Sequence, residues 1–201
     1  MEVSKIHLSS AEIELMQNAE IILTKNRVLE KIKALLEKVQ QMQIEFVRAE
    51  NLNSEILRIS PKISKGENYL GLPYLILDYP RFSSGNNLFF IRTMFWWGNF
   101  FSCTLHLSEN SKEKFRERIQ NSYSRLQNFY INTGEDQWTH HLEESEYQKI
   151  DSMTKEQFEE CCNSYNHLKI AGKHSLNKWE AIQDELFENW KLFLSLCGLI
   201  T

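Results

Sequence analysis

A guanidinium, an imidazole, two hydroxyls and an indole stand close together near the middle of this chain: Arg92, His106, Thr93, Thr104 and Trp97. All lie in Leu88 to Leu107, LFFIRTMFWWGNFFSCTLHL, a stretch dense in aromatic and β-branched residues. Hydroxyls and an imidazole hydrogen-bond a polar ligand, and an indole adds a large apolar face with one donor. Arg92 asks most of its surroundings. A guanidinium among Phe90, Met94 and Leu105 costs several kcal/mol if left unpaired. It needs a carboxylate, for which Asp78 is the nearest candidate upstream, or it lays its stem along the sheet with its head in water. A third use is to meet an anionic group of a ligand in a charge-assisted bond.

What positions these residues is a hairpin. Gly98-Asn99 between two apolar runs is a two-residue turn signal, with glycine at the first central position of a type II′ turn. That predicts strands over 88–97 and 100–107, with Trp97 opposite Phe100. One face then carries Trp96, Phe101, Met94, Cys103, Arg92, Leu105, Phe90 and Leu107, and faces the helices. The other carries Trp97, Phe100, Phe95, Ser102, Thr93, Thr104, Ile91 and His106, a mixed polar and aromatic surface suited to lining a pocket. In this register Arg92 and His106 lie on opposite faces.

Other groupings are weaker. His140-His141 with Glu143 and Glu144 has metal-ligand types, but on a strand the two imidazoles point apart. On a helix they form neither HExxH nor an i, i+4 pair. A metal site would have to recruit His106, His167 or His174. Cys161 and Cys162 lie about 100° apart on a helix, so only one faces the core. Neither has a neighbouring base to activate it as a nucleophile. Glu143-Glu144 and Glu159-Glu160 sit in charged sequence, without the apolar surroundings that raise a carboxyl pKa for acid catalysis. There is no nucleophile elbow, dinucleotide fingerprint or Walker sequence. The Ser83-Ser84-Gly85 segment matches no phosphate-cradling pattern and reads as a turn. No catalytic residue, metal ligand or cofactor is assigned.

The 201 residues carry a net charge of −4, which argues against a nucleic-acid binder working by phosphate neutralisation. The first fifteen residues lack the apolar core of a signal peptide, and no apolar run is long enough to span a bilayer. The four cysteines, Cys103, Cys161, Cys162 and Cys197, form no CxxC pair and read as free, mostly buried thiols. These features place the protein in the cytoplasm.

The fold class expected is α+β: an N-terminal helical hairpin, a central antiparallel β-sheet of four to six strands, and C-terminal helices packed on one face. The chain reads as a single domain over 1–201, with the hairpin at 1–48, mostly sheet with one helix at 56–150, and two helices at 152–198. Ser9 and Glu12 form a capping box. A second helical segment runs over 27–48, with Asn26 either a break or a polar position in one long helix. Its stripe Val28, Ile32, Leu35, Val39, Met42, Phe46 is an a/d seam that needs a partner, either the preceding segment folded back or a second copy. A short strand is expected at 56–59, and another over 73–79 ended by Pro80. Asn110 and Glu113 should cap a helix over 111–127. Short strands follow at 129–132, 137–142 and 147–150. Thr154 and Gln157 open a helix carrying Phe158, Tyr165 and Leu168, with Gly172 its C′ residue. The last helix spans 176–197.

The block from Asn68 to Leu107, NYLGLPYLILDYPRF followed by NNLFFIRTMFWWGNFFSCTLHL, resembles an uncharacterised family of bacterial hypothetical proteins. The similarity covers about a fifth of the chain. It implies one intact domain in a bacterial cytosol and transfers no functional residues. Three functions compete. The first is a non-catalytic binding domain, for a small molecule or a protein, using the face of Thr93, Thr104 and His106 or the tip at Trp97. The second is an enzyme acting on an anionic small molecule through Arg92 and His106, which requires those side chains to converge. The third is an assembly protein dimerising through the 28–46 seam; monomer and homodimer both remain open.

Overall fold

Residues 62–175 weave a seven-stranded antiparallel sheet, seen in a computed structural model that describes residues 6–200. Strands β1 (Lys62–Tyr69), β2 (Leu72–Ser84), β3 (Asn87–Trp96) and β4 (Phe100–Ser108) form a meander. β5 (Tyr130–Asn132) and β6 (Tyr147–Lys149) pair with each other at the far edge. Between the two groups lies β7 (His167–Ser175), which completes the order β1-β2-β3-β4-β7-β5-β6. The helices are α1 (Ser10–Gln17), α2 (Ala19–Ala49), the single turn α3 (Glu55–Arg58), α4 (Glu109–Gln120), α5 (Lys155–Ser164) and α6 (Ile182–Leu196). The expected α+β class is what the molecule has, with N-terminal helices, an antiparallel sheet and C-terminal helices. The sheet has seven strands rather than four to six, however, and the first two helices do not fold back as a hairpin.

One sheet face is oily and lies under helices. Ile32, Leu36 and Val39 of α2 and Leu186, Trp190 and Phe193 of α6 are buried in the cluster that contains Leu77, Phe89, Ile91 and Leu105. Trp190 stacks on Tyr79 with ring centroids 6.0 Å apart and donates its indole N–H to the Tyr79 carbonyl at 2.7 Å. The interior is satisfied as well as apolar at that point.

The hairpin register differs from the expected one by a residue. Trp96 pairs with Phe100, Arg92 with Thr104 and Phe90 with His106, so the connection is the three-residue loop Trp97–Gly98–Asn99. Gly98 supplies the left-handed residue such a loop needs, at φ +72°. The hydrophobic pattern explains the choice. In this register Phe89, Ile91, Phe95, Phe101, Cys103, Leu105 and Leu107 all face the helices. Arg92, Ser102, Thr104 and His106 take the other side. The expected register would have set Leu105 and Arg92 side by side.

Several element assignments are corrected too. The N-terminal break falls at Asn18 (φ −95°, ψ 85°) rather than Asn26, and α2 runs unbroken for 31 residues. Its seam is not covered by the preceding segment folded back. Ile32, Leu35 and Val39 are buried in the protein's own core, so the 28–46 stripe is already occupied. Residues 56–58 lie in α3 rather than a strand. β2 continues past Pro80 through an irregularity between Asp78 and Arg81, which spares the ladder a missing donor. Ser108 precedes α4 in place of Asn110, the strand expected at 137–142 is a loop, and the last helix begins at Ile182.

The largest change concerns 167–175. These residues form β7, and Leu168 and Ile170 alternate with His167 and Lys169 at the strand period. Gly172 is not a helix terminus. A Cβ there would fall 2.3 Å from the Asn189 amide nitrogen, so glycine allows α6 to approach the sheet. Among the described residues no helix is long and apolar enough to cross a membrane.

Candidate functional site

The sheet face away from the helices carries the polar chemistry. Asp78, Arg92, Thr104 and Ala171 lie in one cross-strand row, and Phe90, His106 and Lys169 in the next. Because the pleat alternates sides, the one-residue difference in the hairpin brings Arg92 and His106 onto the same face. Over them folds the connection 133–146, between β5 and β6.

Arg92 makes a two-pronged ion pair with Asp78, Nε to Oδ1 at 2.8 Å and Nη2 to Oδ2 at 2.9 Å. The carboxylate partner expected from the sequence is therefore in place. The remaining arm, Nη1, donates to Nε2 of His140 at 3.2 Å. His106 donates from Nε2 to the Gln137 side-chain oxygen at 3.1 Å, and its ring lies 5.4 Å from that of Trp138. Lys169, directly opposite His106 on β7, is 0 % exposed. Its ammonium donates to the Gln137 carbonyl at 2.9 Å and to the Thr139 carbonyl. The loop is pinned in turn by Tyr69, whose hydroxyl accepts the His140 N–H at 2.6 Å, and by Tyr147, which donates to the Thr139 carbonyl at 2.8 Å. His167 closes the group, donating to Asn132 Oδ1 at 2.8 Å.

The electrostatics follow from crowding basic groups out of water. Burial, with Arg92 adding repulsion, pushes the Lys169 ammonium down to about 7. Burial and the neighbouring Lys169 lower His106 to about 3 and His167 to about 4. His140 is held well below the usual histidine range by burial, then by Lys169 and Arg92. At neutral pH the imidazoles are therefore uncharged, and Lys169 gives up its proton far more readily than an ordinary lysine. Asp78 is committed to Arg92, and the more distant Asp136 is the acid that offsets Lys169. The face carries more buried positive charge than negative.

The residues singled out from sequence divide between the two faces. Arg92, Thr104 and His106 are brought together. Thr93 is not: it lies on the oily face, 1 % exposed, with only the Cys103 sulfur as a side-chain partner at 4.0 Å. Trp97 sits in the hairpin loop, half buried, with its ring 6.1 Å from Phe95 on the helical side. Lys169 was missed because its strand reads as the end of a helix. The alternation His167, Leu168, Lys169, Ile170 was the signal that would have found it. The sequence offers His140 only as half of an adjacent pair whose imidazoles point apart on a strand. In the loop it turns inward to Arg92, while the His141 ring accepts the Glu143 N–H at 3.2 Å.

Among the described residues no three His, Cys, Asp or Glu side chains are grouped as metal ligands would be. The thiols are free, and burial pushes Cys103 and Cys162 up to about 12. Comparison with protein families, with curated proteins and with solved structures finds no match.

Proposed function

We propose that this protein is a non-catalytic, cytoplasmic binding domain for a small anionic molecule, held on the polar face of the sheet by Arg92, His106, His140 and Lys169. One observation carries the proposal: a fully buried lysine whose hydrogen-bond acceptors are two neutral main-chain carbonyls, beside an arginine already matched by its own carboxylate. A buried cation with no close counter-charge costs several kcal/mol, and an oxyanion is the group that removes the cost. Gln137 and Thr139 belong to a loop, so an anion can take over the positions of their carbonyls without disturbing the ladder. Entry lies beside Arg92 and His140, which are partly exposed, and under Trp138, which is 51 % exposed.

The test is calorimetric titration of the full chain with citrate and with inorganic phosphate at pH 7. Loss of a charged hydrogen bond is worth about 1.5–3 kcal/mol, so Lys169→Met and Arg92→Gln should each weaken binding about ten- to a hundredfold. Thr93→Val, on the far face, should bind as the parent does. Absence of binding by either anion, or equal binding by Lys169→Met, defeats the proposal.

An enzyme acting on an anionic small molecule is the second reading, and the shared face of Arg92 and His106 favours it. Its distinguishing result is conversion of the bound anion, abolished in His106→Asn with binding retained.

A further inference from the structure

Among the described residues, nothing covers the apolar surface of α1 and the first turns of α2. Met16 is 70 % exposed, Leu15 55 %, and Ile13, Ile21, Ile22 and Leu23 are likewise exposed. No residue from Ala19 to Arg27 is buried, and the first buried side chain of α2 is Ile32. Ile21, Val28, Leu35 and Met42 recur every seven residues along α2. The stripe that packs inside the fold therefore runs on, bare, past the point where the core ends. At its root is a groove of about 610 Å³ lined by Ile21, Ile22, Val28, Leu72, Pro73 and Trp97.

We infer that this arm is a homodimerisation element, in which two copies exchange α1 so that each lays it along the root of the other's α2. Four observations favour a second copy as the occupant. α1 is written to be a helix, with a complete capping box at Ser9 and Glu12, yet none of its residues is buried. Eight residues are too few to hold a helix in water unaided, so this one needs a surface. Its own chain cannot supply that surface in this geometry, because a single residue, Asn18, separates it from α2. Antiparallel helix pairs need about 2–5 connecting residues. Exchange between copies gives the same contacts without the reversal.

Length and charge agree. α1 is about 12 Å long and the bare segment Ala19–Arg27 about 13 Å. α1 holds Glu12 and Glu14 and no base, whereas the bare segment Ala19–Arg27 holds Lys25 and Arg27 against Glu20. An antiparallel exchange sets the acidic helix on a segment with one more base than acid, whose Lys25 and Arg27 also pair with Glu67 and Glu20.

Light scattering of the full chain at tens of micromolar should give twice the 23.9 kDa chain mass. Ile13→Glu with Met16→Glu should give the monomer mass with an unchanged circular dichroism spectrum, since both side chains are exposed. In a mixture of ¹⁵N-labelled chains with unlabelled chains carrying a photocrosslinker at Met16, crosslinks should join light chains to heavy ones near residues 21–28, 72–73 or 97. A monomeric parent, a double variant that stays dimeric, or crosslinks confined to one chain would each overturn the inference.

Discussion

Burial strips the Lys169 ammonium of water and Arg92 repels it, so its proton is held at about 7 in the folded state against about 10.4 in an unfolded chain. The unfolded state binds more protons between those values, so this residue makes stability rise from pH 7 towards pH 10. The shift corresponds to a few kcal/mol. Three buried thiols, Cys103, Cys162 and Cys197, pull the other way above about pH 8.5, because burial raises them. The informative quantity is therefore the difference between parent and Lys169→Met. Urea midpoints at pH 7 and pH 9.5 should move apart by less upward, or further downward, in the variant. Identical changes in both proteins would mean that Lys169 titrates normally. On the acid side, His106 and His167 are lowered to about 3 and about 4, so they add stability above pH 6.5 that is lost as pH falls towards 4.

At the scale of elements, everything turns on the loop Trp97–Gly98–Asn99. Had the connection been two residues long, Arg92 and His106 would face apart and no polar face would exist. The two strands and the Asp78–Arg92 pair were legible in the sequence because local composition and the cost of a lone buried charge determine them. Both capping boxes were legible for a similar reason, since Ser9 with Glu12 and Thr154 with Gln157 bond only to their own turns. The register was not read, although sorting polar against apolar residues on both strands at once would have selected it. β7 was missed because Gly172 looks like a helix stop, whereas its cause is the close approach of Asn189 from a helix ten residues further on. Gly98→Ala tests the loop directly. At φ +72° a side chain costs about 1–2 kcal/mol. The variant should melt lower by that amount in a urea titration, and an unchanged midpoint would show that no left-handed residue is needed there.

Across the whole molecule the two sheet faces have separate tasks. The oily side packs its apolar residues against α2 and α6. The other side holds a smaller apolar cluster, Met94, Trp96, Phe100, Leu142, Tyr147 and Ala171, beside its polar groups. The polar side concentrates basic groups beneath one loop. The N-terminal arm extends from the end where α2 outruns the core, and no side chain from Ser10 to Arg27 is buried. Anion binding and pairing of chains are thus separable, and the arm variants should titrate as the parent does.

The polar face is tested most directly by titrating citrate into the protein at pH 7 in two buffers of different ionisation enthalpy. If the anion meets Lys169, whose proton is held far more loosely than an ordinary lysine's, binding should draw protons from the buffer, and Lys169→Met should draw fewer. Binding without proton uptake, or the same uptake in the variant, would contradict a site built on that lysine.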